Sequence, residues 1–116
     1  MKSGAIFSLT AIAAATVLTS LAAGPASAAD AAAAESLARQ NGCLKCHAVD
    51  KKKDAPAYKE IAAKYKGKAG AEEQLIKQIT TAVKVKFPDG HEEEHKVIKT
   101  KDMGEIKNLV GWILSL

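Results

Sequence analysis

Two thiols and an imidazole fall within five residues at Cys43-Leu44-Lys45-Cys46-His47, the spacing at which a porphyrin is bonded covalently to a polypeptide. Each cysteine can add across one vinyl group of the ring, and the histidine after the second cysteine then lies beneath it with a nitrogen aimed at the iron. The motif predicts one covalently attached haem c, with Cys43 and Cys46 as the thioether residues and His47 as an iron ligand. Two other chemistries use a Cys-x-x-Cys pair: a redox disulfide and half of a zinc site. A structural zinc site needs four ligands, and beside His47 the chain offers only His91 and His95 and no second cysteine pair. A thioredoxin-like motif belongs in a βαβ unit, whereas the alanine-rich stretch before Cys43 is helical in pattern.

The chain's first 28 residues give the compartment. Lys2 supplies a short positive region, Ala5 to Leu21 an apolar core, and Ala26-Ser27-Ala28 an Ala-x-Ala type cleavage site after the helix breakers Gly24 and Pro25. Residues 1–28 therefore read as a signal peptide. A retained membrane anchor would need about 20 strongly apolar residues, and this segment is largely alanine interrupted by serine and threonine. Cleavage would leave 88 of the 116 residues; with Lys2 gone, 17 basic against 13 acidic residues become 16 against 13, a formal +3. The expected location is the periplasm, with no stable membrane anchor.

A single domain over residues 29–116 has few large side chains for a core, with Tyr58, Tyr65, Phe87 and Trp112 its only aromatics. Domains of this size bury only about 60–65% of the surface their unfolded chain exposes, so a haem would complete the core and the haem-free chain is expected to fold poorly.

The elements that must position the motif read as helices. Asp30 is an N-cap candidate for a helix over residues 31–41, closed by Gly42 just before Cys43. Pro56 opens a second helix to about Lys66, with Tyr58, Ile61, Ala62 and Tyr65 on one face. Glu72 and Glu73 suit the first turn of a third, whose stripe is Leu75, Ile76, Ile79 and Val83 and which frays into residues 85–90. Asp102 and Glu105 resemble a capping box before Ile106, Leu109, Val110, Ile113 and Leu114 of the last helix. The fold class is all-α, with four or so short helices.

Beyond the haem motif, His47-Ala48-Val49-Asp50 followed by Ala55-Pro56-Ala57-Tyr58-Lys59-Glu60-Ile61, and the ending Leu109-Val110-Gly111-Trp112-Ile113-Leu114, resemble the small bacterial class I cytochromes c. The resemblance implies a cytochrome c fold wrapped around one haem, with N- and C-terminal helices crossing where Leu37 and Gly42 meet the helix of Trp112. It also makes His47 the proximal iron ligand and assigns the Pro56 carbonyl to the other nitrogen of that imidazole, a bond that orients the ring. Ala55 stands where the family usually has glycine.

The distal side departs from the pattern. Family members place a methionine ligand 16 or 17 residues before the C-terminal tryptophan; here Lys96 and His95 occupy those spacings. The remaining methionine, Met103, follows the N-cap Asp102 and lies past that position. His95 is the favoured distal ligand, ahead of His91, Lys96 and Met103 or an iron left open or water-bound. Two nitrogens in place of a thioether lower the reduction potential, and Glu92, Glu93 and Glu94 act in the same direction.

The leading function is one-electron transfer between periplasmic redox proteins, not enzymatic catalysis. Lys45, Lys51, Lys52, Lys53 and Lys59 around the motif suit docking onto an acidic partner, or simply form a solvated face. The net charge of +4 carries no nucleic-acid reading, because a single arginine and few aromatics leave no interleaved basic patch. Two alternatives stay open: an open or labile distal site that binds a small gas or peroxide, and a haem subunit of a larger oxidoreductase.

Overall fold

Aspartates begin the two helices that frame the domain. A computed structural model describes residues 29–116 together with Gly4, so the predicted signal segment otherwise lies outside the described residues. Asp30 caps α1 (Ala31–Gln40) by accepting from the Ala33 amide at 3.0 Å. Asp102 caps α4 (Met103–Leu114) by accepting from the amides of Gly104 and Glu105 at 2.8 and 3.2 Å. Both satisfy amides that a helix start leaves without partners. The second half of the predicted capping box at α4 runs through a third residue. Glu105 accepts from the Thr100 hydroxyl at 2.6 Å, and that hydroxyl accepts from the Asp102 amide at 3.1 Å.

α1 packs on α4 through alanine. Ala34 and Ala38, four residues apart on one face, are 0% exposed, and they share a core with Ile106, Leu109, Val110, Trp112 and Ile113 of α4. Small side chains let the two backbones approach. One asparagine clamps α4 to the start of α1, and another ties the end of α1 to the segment that leads into α4. Asn108 of α4 accepts from the Asp30 amide at 2.8 Å and donates to the Asp30 carbonyl at 2.9 Å. Asn41, 5% exposed, donates to the Leu37 carbonyl and accepts from the Lys99 amide, both at 2.9 Å, so its buried amide is satisfied.

The predicted partners at this crossing need one correction. Leu37 does pack against the core, but the side-chain direction at Gly42 faces Lys96 and Lys45 rather than α4. With φ +70° this glycine ends α1 in the left-handed region, and a side chain there would meet Lys96 Nζ at 3.2 Å and the Lys45 methylenes. The close approach belongs to the alanines because they lie on the turn of α1 that faces α4.

Between the framing helices, α2 (Tyr58–Tyr65) begins after Pro56, with Glu60 accepting from the Ala57 amide at 2.8 Å. α3 (Ala71–Thr80) carries Glu72 and Glu73 in its first turn and turns Leu75 into the core, with Ile76 and Ile79 half-buried beside it. Val83 of the predicted stripe lies beyond the helix end. The following stretch is not a frayed helix but an antiparallel hairpin, β1 (Lys84–Lys86) and β2 (Glu92–Glu94), paired Lys84 to Glu94, Val85 to Glu93 and Lys86 to Glu92. Pro88-Asp89-Gly90 makes the turn: the Gly90 amide donates to the Phe87 carbonyl at 2.9 Å, and Gly90 sits at φ +93°.

If α1 packs through its alanine face, Ala38→Leu will overfill the contact and cost about 1–3 kcal/mol, seen as a lower guanidinium midpoint at unchanged slope. Ala33→Leu, on the exposed side, should stay within about 0.5 kcal/mol of the parent. Equal losses for the two would refute the packing face.

Candidate cofactor site

The segment Cys43–Lys45 is a single 3₁₀ turn. The Cys43 carbonyl accepts the amides of Cys46 and His47 at 3.3 and 3.0 Å, which folds the pentapeptide on itself. Both sulfurs and the His47 ring thereby line one cleft of about 810 Å³, within the range of about 300–1,000 Å³ usual for small-molecule and cofactor sites. α3 contributes Leu75 and Ile79 to its walls, α2 Ile61 and Tyr65, and α4 Leu109, Val110 and Ile113. Cys43 and Cys46 are not joined to each other in a disulfide, and both are half-buried. Burial pushes the Cys43 thiol up, against the Tyr58 hydroxyl and Lys96 ammonium that pull it down.

His47 Nδ1 lies 2.7 Å from the Pro56 carbonyl. A carbonyl can only accept, so Nδ1 carries the hydrogen and Nε2 keeps its lone pair. Burial lowers the pKa of His47 from the ordinary imidazole value, outweighing the Pro56 carbonyl that raises it, and nearby His95 lowers it further. The ring is therefore held neutral, the form that ligates metals. Tyr58 stacks on it with ring centroids 5.1 Å apart and meets Trp112 edge-on at 5.7 Å. At 3% and 7% exposed, Tyr58 and Trp112 form a buried aromatic wall behind the imidazole.

His95 enters from the other side. Its Nδ1 lies 3.0 Å from the Lys96 carbonyl, which again assigns the hydrogen to Nδ1 and leaves Nε2 as acceptor. The two imidazole centroids are 6.3 Å apart with planes inclined at 53°. An ion held by both rings would have to lie between them, each offering Nε2. Among the described residues no group of three or more His, Cys, Asp or Glu side chains is arranged to hold an ion. A facing imidazole pair alone suits a metal that brings its own remaining donors, as a porphyrin iron does.

Two of the other distal candidates, His91 and Met103, lie elsewhere. His91 is at the hairpin tip, stacked on Phe87 at 4.4 Å and paired with Asp89 and with Glu93 at 3.1 Å; it does not line the cleft. Met103, 48% exposed, also lies off it. Lys96 does line the cleft, with Nζ beside Gly42. Of the five lysines singled out in the sequence, Lys53 donates to the Leu44 carbonyl at 2.9 Å and Lys59 pairs with Asp50 at 2.5 Å. Lys45 stands at the cleft, and Lys51 and Lys52 are exposed. The Lys96 carbonyl and the hairpin residues Val85 and Phe87 on the cleft wall were not anticipated from the sequence.

The cytochrome c family model matches residues 31–116. A crystal structure of class 1 cytochrome MtoD from Sideroxydans lithotrophicus ES-1 is 61% identical, covers 76% of this chain and 97% of its own, and superposes with a TM-score of 0.73. Cytochrome c-551 of Allochromatium vinosum is 35% identical over 69% of this chain and 82% of its own length. Cytochrome c-551 of Pseudomonas aeruginosa is 51% identical over 45 residues, which span 39% of this chain and 43% of that protein.

Because the His47 ring leans on Tyr58, Tyr58→Ala should cost about 3–5 kcal/mol in guanidinium unfolding, while Tyr58→Phe keeps the ring and most of the stability. A small loss in the alanine variant would show that the aromatic wall does not hold the site together.

Proposed function

The chain belongs to the cytochrome c family, and on that footing we propose that it is a bis-histidine electron carrier of low reduction potential, with His47 and His95 as the axial pair. Its relatives are cytochromes c, electron-transfer proteins with one covalently attached haem c. The observation that carries the finer reading is the approach of the two imidazoles, 6.3 Å between centroids, each with Nδ1 tied to a backbone carbonyl.

Cys43 and Cys46 would hold the cofactor covalently and His47 and His95 would bind its iron, which supplies a one-electron change between ferrous and ferric states. The chain's own contribution is orientation and electrostatics. The Pro56 carbonyl holds the His47 ring and strengthens its donor character, and α2, α3 and α4 supply apolar walls to the cleft. Two imidazoles favour ferric iron more than an imidazole and a thioether do, which lowers the potential. Glu93 and Glu94 at the cleft act in the same sense, while Lys84 and Lys86, cross-strand neighbours of Glu94 and Glu92, offset part of that charge.

Lys45 at the cleft, with Lys51 and Lys52 exposed nearby, supports transient docking on an acidic partner at an exposed edge of the cofactor, weakened by salt. Periplasmic location rests on the predicted signal segment, residues 1–28, with the domain occupying residues 29–116. No helix among the described residues is long and apolar enough to cross a membrane.

The test is a pair of variants of the haem-loaded protein, followed by electron paramagnetic resonance and redox titration. His95→Ala should convert low-spin to high-spin iron, and His95→Met should stay low-spin with a higher potential. An unaltered spin state in His95→Ala would overturn the axial assignment, and a parent potential as high as that of methionine-ligated relatives would overturn the low-potential reading.

A further inference from the structure

The residues that bring His95 to the cleft form a hairpin whose strands are three residues long. Two-stranded hairpins of this length are marginal in water, so their register has to be set by something beyond the ladder itself. The pairing of Val85 with Glu93 continues outward in both directions. The His95 amide donates to the Val83 carbonyl at 2.7 Å, and the Phe87 amide to the His91 carbonyl at 2.8 Å. Cross-strand partners share a face, so Val83, Val85 and Phe87 lie on the same face as His95, Glu93 and His91. Val85, Phe87, Glu93 and His95 line the cleft, and so do Lys86, Glu94 and Lys96 of the other face, so the hairpin meets the cleft through both of its faces. A slip of one residue would still turn the His95 ring to the other face and so change its approach to His47, whose ring it now meets at 6.3 Å.

We propose that the Phe87–His91 stack at the hairpin tip is a positioning pair that locks this register and so holds the His95 ring turned towards His47. The pair touches no iron and acts through the ladder. Phe87 closes the Pro88-Asp89-Gly90 turn by accepting the Gly90 amide at 2.9 Å, and its ring carries the His91 ring at 4.4 Å and 15°. Asp89 and Glu93 hold the two ring nitrogens of His91, so the imidazole is fixed on three sides although it is exposed to solvent. Phe87 itself lines both the cleft and the smaller hollow at the tip, and thus transmits the stack to the distal wall. Loss of the stack frees the register, and His95 spends more time away from the iron. The inference rests on the reading of His95 as distal ligand.

The experiment is stopped-flow binding of cyanide to the ferric, haem-loaded protein, in which an external ligand must wait for the distal residue to leave. His91→Ala should bind cyanide roughly three- to tenfold faster than the parent, the scale of one aromatic pair. His91→Phe, which restores a ring without restoring charge, should return the rate towards the parent value. A His91→Ala rate equal to the parent would overturn the proposal, as would a His91→Phe rate no slower than that of His91→Ala. His95→Ala in the same series separates the two readings: if its iron turns high-spin while His91→Ala binds at the parent rate, only the positioning role fails. If the His95→Ala iron is unchanged, the axial assignment fails and the positioning role with it.

Discussion

The site depends on two backbone carbonyls, those of Pro56 and Lys96, each of which occupies the Nδ1 of one imidazole. Once Nδ1 is engaged, each ring has only Nε2 to offer, and the identity of the donor atom is fixed before any metal arrives. The rest of the fold reads as what it takes to bring those carbonyls into place. The Pro56 carbonyl stands just ahead of α2, whose start is fixed by Glu60, and the turn at Cys43 returns the chain so that the His47 ring meets it. The Lys96 carbonyl stands just beyond β2, where the Ile98 and Lys99 amides tie the chain to Ile79 and Asn41 at 2.8 and 2.9 Å. Ring orientation on both sides is thus a property of main-chain geometry.

Much of this was legible in the residues. The pentapeptide, the Asp30 and Asp102 caps and the four helices follow from local rules, because capping and apolar periodicity are set by neighbours within one or two turns. The hairpin was not read, although Pro88-Asp89-Gly90 is a strong turn signal and Val83, Val85 and Phe87 alternate ahead of it. The helical stripe of α3 runs directly into that alternation, and the return strand, Glu92 to Glu94, has no apolar residue to mark its period. Gly42 was misplaced for a different reason. A glycine after a helix serves equally as a terminator or as a point of close approach, and only the packing of Ala34 and Ala38 shows that the second task falls to alanine.

The Asp30–Asn108 clamp joins residues 78 positions apart in the chain. That separation sets an order of events. In a chain made from its N-terminus, α1 and the cysteine turn exist long before α4, and an isolated ten-residue helix is too short to persist alone. The two thiols therefore remain on an open, extended polypeptide until synthesis is nearly finished, and closure of the frame comes last, at the entropic cost of a long loop. If Cys43 and Cys46 carry the proposed cofactor, their thiols are reachable before the ends of the domain meet, and the alanine-packed helix pair is the latch that shuts afterwards.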